Sequence, residues 1–317
     1  MKSKNKERVI VTGGAGFIGT QLAISLARDY QIVVIDDLSL AMDSNVKQLL
    51  NHGIEIKKQS LQSTLSSKPF KNCSTVFHLA GKSNVKESML KPQDYFENNV
   101  HVTMNLLESM RKQDVKKIVF TSSSVVYGET KKTVNEQSLT KPISIYGVTK
   151  LLCESLIESY CNIYGFKGVI LRLANIIGEN STKGLIHDMM LKFKKNPKQI
   201  IILGDGKQVK SYLHVNDCVT AIITGHNNMK KQKSNIEVFN VSGKDFLDVN
   251  TIVKTIGETL GYDSFKSIYQ KYDESGRGWS GDIIQSKMNI SKLEKLDWKP
   301  MSSINSIKSI VREINTN

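Results

Sequence analysis

The sequence predicts an α/β fold, a doubly wound parallel sheet with a smaller C-terminal α/β domain. Three observations predict it. Strand-like apolar runs alternate with apolar-periodic helical segments up to about residue 172, the pattern of a parallel sheet with helices on both faces. The first run, Val9-Ile10-Val11, leads into the glycine turn Thr12-Gly13-Gly14-Ala15-Gly16-Phe17-Ile18-Gly19. The second, Ile32-Val33-Val34-Ile35, ends in Asp36-Asp37.

In chain order, strands are expected at 8–11, 32–35, 54–57, 75–79, 117–122 and 167–172, with helices at about 17–28, 44–51, 92–112 and 145–164. The pattern loosens after about 177. A helix near 185–195, a strand at 200–203, a helix at 215–227, a strand at 237–241 and helices near 249–260 and 303–315 follow. The expected division is a dinucleotide-binding domain over 1–175 and a substrate domain over 176–317, with some later segments packing back on the first. Ligands of such sheets bind in the crevice at the carboxyl ends of the strands, so chemistry is expected just after each strand.

The glycine turn fits that place. Its spacing satisfies both G-x-x-G-x-x-G (Gly13, Gly16, Gly19) and G-x-G-x-x-G (Gly14, Gly16, Gly19). Glycines let the backbone turn tightly and approach a pyrophosphate, and the helix from Phe17 and Ile18 onward offers it unpaired N–H groups. About 20 positions further on, Asp36 stands where a carboxylate binds the adenosine ribose hydroxyls. A carboxylate there repels a 2′-phosphate, and no Arg or Lys occurs from Asp36 to Ser44 to neutralise one. The cofactor is therefore expected to be NAD, not NADP, in a Rossmann-type sheet. Asp37 reads as a loop residue or helix cap.

Composition excludes other classes. The net charge is +14, but the lysines are spread over the chain without an aromatic-interleaved stripe, so a solvated basic surface is expected and no nucleic-acid partner. No apolar run approaches the ~20 residues of a membrane span, and the first apolar stretch reads as a strand, not a signal peptide. Cys73, Cys153, Cys161 and Cys218 lack metal-ligand spacing, so no metal site and reduced thiols in the cytoplasm are expected.

Three further motifs follow strands. His78-Leu79-Ala80-Gly81 offers small residues past which the nicotinamide half of a dinucleotide can run, with His78 as a packed structural residue. Ser122-Ser123-Ser124-Val125-Val126-Tyr127-Gly128 places hydroxyls at a strand end. Tyr146-Gly147-Val148-Thr149-Lys150 puts a phenol and an ammonium one helical turn apart on one face. A free phenol has a pKa near 10, and lowering it to about 7 takes about 4 kcal/mol. One positive charge at ~5 Å supplies about 3 kcal/mol at an effective dielectric of ~20. Lys150 and a cationic nicotinamide together meet that requirement.

On these motifs the chain resembles the extended short-chain dehydrogenase/reductases, and within them the NAD-dependent nucleotide-sugar epimerases and dehydratases. The resemblance extends through Asn98-Asn99-Val100, Arg172-Leu173-Ala174-Asn175, Leu203-Gly204-Asp205-Gly206, His214-Val215-Asn216-Asp217, Arg277-Gly278-Trp279-Ser280-Gly281-Asp282 and Trp298-Lys299-Pro300, nearly the whole length. It implies Tyr146 as base, Ser123 as its hydroxyl partner and Lys150 as partner and ribose ligand. Gly13, Gly16, Phe17, Ile18, Gly19, Asp36, Leu79, Ala80, Gly81 and Asn99 are implied around the cofactor. Ser83, Ser124, Asn175, Lys210 and Arg277 are implied at the substrate, the last where an arginine pairs with the diphosphate.

Two departures sharpen the expectation. Lys210-Ser211-Tyr212 stands where relatives carry Arg-Asp before the aromatic; a lysine neutralises phosphate but does not grip it bidentately. The two residues after Ser123-Ser124 are Val125 and Val126; dehydratases of this family carry an Asp-Glu pair in this turn and decarboxylases a glutamate, and neither acid is present, which removes the acid or base those reactions need. The resemblance then implies C4 epimerisation of a nucleotide sugar, with UDP-glucose and UDP-galactose as the leading pair. Two competing readings are a nucleotide-sugar reductase of the same fold and a non-catalytic dinucleotide-binding regulator. Two helices carry surplus apolar residues, Phe96, Val100, Met104, Leu107 and Met110 on one and Leu151, Leu152, Leu156, Ile157, Tyr160 and Ile163 on the other. Core packing accounts for such a surplus, but relatives pair through these helices, so a homodimer is expected.

Overall fold

The computed structural model describes residues 6–66, 68–181, 184–279 and 281–316. Ser280, part of one quoted motif, lies outside the described residues. The main sheet contains β1 (Arg8–Thr12), β2 (Gln31–Asp36), β3 (Glu55–Lys58), β4 (Cys73–His78), β5 (Lys117–Ser123), β6 (Lys167–Leu173) and the Ile236–Val241 strand. Their order is Ile236–Val241, β6, β5, β4, β1, β2, β3, and every pair is parallel. The order reverses between β1 and β4, which opens the ligand crevice there. Register completes the arrangement. Thr12 lies opposite Ile35 on one side and His78 on the other, so Gly13, Asp36 and Leu79 emerge side by side.

Strand residues alternate between two cores, as the period of two requires. Val9, Val11, Val34 and Phe77 face α1 (Phe17–Leu26) and the Val215–Asn228 helix, whose Leu22, Ala23, Cys218 and Ile222 they bury. Ile10, Val33, Ile35 and Val76 face the Val102–Lys112 and Ile145–Tyr164 helices through Leu106, Met110, Cys153 and Ile157. A third core, with Ile186, Phe193, Ile202, Ile252, Ile256 and Ile310, lies under the later helices. Residues from both sides of position 175 build the main sheet, because the Ile236–Val241 strand completes its edge beside β6.

Local structure departs from expectation in several places. The helix expected over 92–112 is Pro92–Tyr95, then a π-helical turn Phe96–His101, then Val102–Lys112. A π turn inserts a residue and rotates side chains relative to an α-helix, and such turns recur at functional sites. Here it turns Asn99 inward, with 2% exposure. A short helix, Val85–Leu90, forms where none was expected; Asn84 caps it by accepting from Glu87 N at 3.0 Å. Three short pairs were also unexpected: Asn175–Ile177 with Tyr212–His214, Val209–Lys210 with Leu247–Asp248, and Lys266–Gln270 with the Gln199–Leu203 strand.

The apolar surplus on the two helices divides. Val100, Leu107, Met110, Ile157 and Tyr160 are core residues, whereas Phe96, Met104, Leu152 and Ile163 are exposed. Among the described residues, no helix is long and apolar enough to cross a membrane, and no group of three or more His, Cys, Asp or Glu residues is placed to hold a metal ion.

Candidate active site

A cleft of about 830 Å³ opens at the carboxyl ends of the strands. That lies toward the large end of small-molecule sites, about 300–1,000 Å³. Gly13, Gly16, Phe17, Ile18, Gly19, Asp36, Leu79, Ala80 and Gly81 line it together with Ser83, Ser123, Ser124, Tyr146, Lys150, Asn175 and Lys210. Asn99 and Arg277 do not.

The glycine turn is a cradle. Gly13 has φ +65°, and a Cβ there would stand 2.6 Å from Ala80 N. A Cβ on Gly19 would run into the Gly13 carbonyl oxygen. Both glycines let the β1 turn, the start of α1 and the β4 exit meet at backbone distance. Gly16 precedes α1 and no side chain caps the helix, so its first N–H groups are available to an anion. Asp36 closes this end. Its Oδ2 accepts from Ala15 N at 3.0 Å and its Oδ1 from Leu38 N at 2.8 Å. Burial raises its pKa against those two bonds, and Asp37 adds to the rise. Asp37 bends the next loop, accepting from Ser39 N at 2.9 Å. A backbone cradle for phosphates beside a carboxylate, with no cation paired to that carboxylate among the described residues, fits the two ends of an adenosine diphosphate moiety.

Asn99 acts from behind the lining. Its Oδ1 accepts from Lys82 N at 2.7 Å, and its Nδ2 donates to Lys82 O at 3.1 Å and Thr149 Oγ1 at 2.9 Å. Gly81, at φ +147°, leaves room for that amide, since a Cβ would stand 2.8 Å from Asn99 Oδ1. Asn99 therefore ties the Leu79–Ser83 loop to the helix that carries Tyr146. His78 is fully buried between Thr12 Oγ1 (2.7 Å) and Thr103 Oγ1 (3.0 Å). Burial, helped by the Lys150 charge, pushes it down to about 3, so it is neutral and structural.

The Ile145–Tyr164 helix begins at the cleft, capped by Ser144, which accepts from Gly147 N at 3.2 Å. Tyr146 on its first turn is buried and lines the cleft together with Ser123. Burial pushes the phenol up to about 12, while the Ser123 hydroxyl opposes the rise. Lys150, one turn further on, has its own partners. The ammonium leans across to β5, donating to Thr121 O at 2.9 Å and sitting 4.6 Å from the Phe120 ring centroid. Burial lowers its own pKa. The turn after Ser123 has Val125 in the cleft wall and Val126 in the core, so no acid enters from it.

Behind the serine turn lies a buried polar network. Glu154, one turn beyond Lys150, accepts from Ser122 Oγ at 2.5 Å. It also accepts from Arg172 Nε at 3.1 and 3.2 Å and from Arg172 Nη2 at 2.7 Å. Arg172 Nη1 donates to Tyr127 Oη at 2.9 Å, and Tyr127 donates to Asn240 Oδ1 at 2.7 Å. The network joins the helix of Tyr146 to β5, β6 and the edge strand. Arg172 stands in a quoted motif, but Glu154 was missed; its signal is the i, i+4 step that continues the face of Tyr146 and Lys150.

At the other end, Asn175 Nδ2 donates to Ser211 O at 3.2 Å. Lys210 pairs with Asp282, which is 2% exposed, at 2.7 Å. Arg277 is turned away, toward Glu129 Oε2 at 3.2 Å and the Asp282 carbonyl oxygen. Glu129 also accepts from Ile284 N and Gln285 N, which fastens this strap to the serine turn.

Comparison with known proteins agrees with this site. The model of the NAD dependent epimerase/dehydratase family matches residues 9–242. A putative UDP-glucose 4-epimerase of Methanocaldococcus jannaschii is 31% identical over 98% of this chain and 99% of its own. A UDP-N-acetylglucosamine 4-epimerase from Methanobrevibacter ruminantium, solved with UDP-N-acetylmuramic acid, superposes with TM-score 0.86 at 28% identity over 99% of both chains. A UDP-glucuronic acid 4-epimerase from Bacillus cereus, solved with UDP-glucuronic acid and NAD, gives 0.85 at 28% over 98% of this chain and 99% of that one. With the cradle, the ribose-side carboxylate and the Ser123–Tyr146–Lys150 group in one cleft, the chain belongs to the NAD dependent epimerase/dehydratase family, with NAD as its cofactor.

Proposed function

We propose that the protein epimerises a UDP-hexose at C4, interconverting UDP-glucose and UDP-galactose. The observation that carries this reading is the placement of Tyr146 and Ser123 in one cleft whose serine turn continues with Val125 and Val126. That turn adds no acid or base of the kind dehydration or decarboxylation uses. Tyr146 takes the proton of the C4 hydroxyl and later returns it. Ser123 holds that hydroxyl in line with the phenol. Lys150, fixed to Thr121, keeps a positive charge on the cofactor side of the helix. Bound NAD supplies the acceptor for the C4 hydride, its return to the opposite face and a cationic ring that favours the phenolate. Binding energy from the nucleotide holds the substrate while the sugar turns within the site. Asn175 and Lys210 are assigned to the substrate. Arg277 joins them on release from Glu129.

The test incubates the NAD-loaded protein with UDP-, dTDP- and GDP-sugars and separates the products. The expected result is a C4 epimer of a UDP-hexose; a 4-keto-6-deoxy or decarboxylated product would refute the reading. The same reading makes the protein a cytoplasmic homodimer, supported by the exposed Phe96, Met104, Leu152 and Ile163 on two neighbouring helices and by four free cysteines. Light scattering at micromolar concentration checks it, and a monomer mass would count against it.

A further inference from the structure

Trp279 lines the cleft, yet its indole nitrogen is buried without an acceptor among the described residues. Indole N–H is a donor only, and native folds rarely leave such a donor unpaired. The chain's other tryptophan shows the ordinary solution: Trp298 Nε1 donates to Asp217 O and Thr220 Oγ1, both at 3.1 Å. The backbone of Trp279 is fixed. Its carbonyl accepts from Asp282 N at 3.2 Å, and the adjoining Gly278 N donates to Asp282 Oδ2 at 3.2 Å.

The surroundings say what acceptor suits this donor. Lys210 Nζ sits 5.4 Å from the Trp279 ring centroid, within cation–π range, while holding Asp282 Oδ1 at 2.7 Å. The ammonium and the indole ring therefore share one wall. Asp282 already balances much of the Lys210 charge, and Arg277 is engaged by Glu129. A neutral donor adds a hydrogen bond to an anion at this place without adding an unbalanced buried charge.

We propose that Trp279 is a substrate-binding residue: its indole N–H donates to a phosphate oxygen of the nucleoside diphosphate, beside the Lys210 ammonium. The identity of the ligand rests on the nucleotide-sugar reading above. In this chain the pair Lys210–Trp279 takes over the grip that a bidentate arginine gives elsewhere.

The test uses the full-length NAD-loaded protein and UDP, with uridine, dTDP and GDP in parallel. Tryptophan emission of the wild type should change saturably with UDP and not with uridine, because Trp298 is already bonded in the core. Trp279→Phe keeps an aromatic ring and removes the N–H. By calorimetry it should bind UDP about tenfold or more weakly, as loss of a hydrogen bond to a charged acceptor requires, with unchanged NAD content. Equal UDP affinity in wild type and Trp279→Phe would overturn the assignment, as would an emission change produced equally by uridine. Should none of the three nucleoside diphosphates bind the wild type, the nucleotide-sugar reading itself falls. If Trp279→Phe fails to fold, the wild-type emission titration decides alone.

Discussion

Removing the Glu154 carboxylate should destabilise the protein strongly, and the structure sets the size of the effect. Glu154 and Arg172 have side chains 6% and 8% exposed, so the pair is shielded from water. Glu154→Ala takes away every acceptor that Arg172 Nε and Nη2 have in this network and leaves a guanidinium buried without its counter-charge. Breaking one side of such a pair costs about 3–5 kcal/mol. Unfolding entropy is about 2.1 cal/mol/K per residue, or roughly 0.7 kcal/mol/K over this 317-residue chain. A loss of about 4 kcal/mol then lowers Tm by roughly 6 °C. Scanning calorimetry of the NAD-loaded protein measures it. The double variant Glu154→Leu with Arg172→Met removes both charges and should recover most of the loss, because hydrophobic replacement of a buried pair is often neutral. A Glu154→Ala protein within about 1 °C of wild type would refute the reasoning, as would a double variant less stable than the single one.

Two further outcomes follow from the site. Tyr146→Phe should abolish turnover and leave NAD bound, read by product assay and by cofactor content after desalting; normal activity in that variant would end the role of the phenol. Burial lowers the pKa of His78 to about 3 and of His226 to about 4, so both are neutral when folded. Above the unfolded value near 6.5 neither changes stability; as pH falls through that value the unfolded chain takes up the protons, and stability is lost down to the folded pKa. The urea midpoint should therefore fall between pH 7 and pH 5, and His226→Phe, whose ring packs between Tyr30 and Phe77, should flatten part of that slope. An unchanged slope would show that His226 is not buried neutral.

The sequence was most readable where local pattern and backbone chemistry decide the structure. The runs Val9–Val11 and Ile32–Ile35 are buried on both faces, and the glycines of the first turn permit contacts that a Cβ forbids. The π turn at Phe96–His101 was not readable, because the inward rotation of Asn99 is settled by Lys82 and Thr149, which are distant in sequence. The Val85–Leu90 helix is too short for periodicity to register, although Asn84 and Glu87 stand at capping distance. The partner of the Lys150 ammonium is set in the same way: helical spacing places it on the face of Tyr146, and the Thr121 carbonyl that it donates to lies on another element. Arg277 shows the same limit, since its partner Glu129 is 148 positions away in the chain.

The most direct measurement follows the hydrogen at C4. A UDP-hexose deuterated at C4 is incubated with the NAD-loaded protein, and the product is examined by mass spectrometry while absorbance at the reduced-nicotinamide band is recorded. Retention of deuterium at C4 of the inverted sugar, with no accumulation of NADH, is the predicted result. Loss of the label to solvent, or net formation of NADH, would contradict the account.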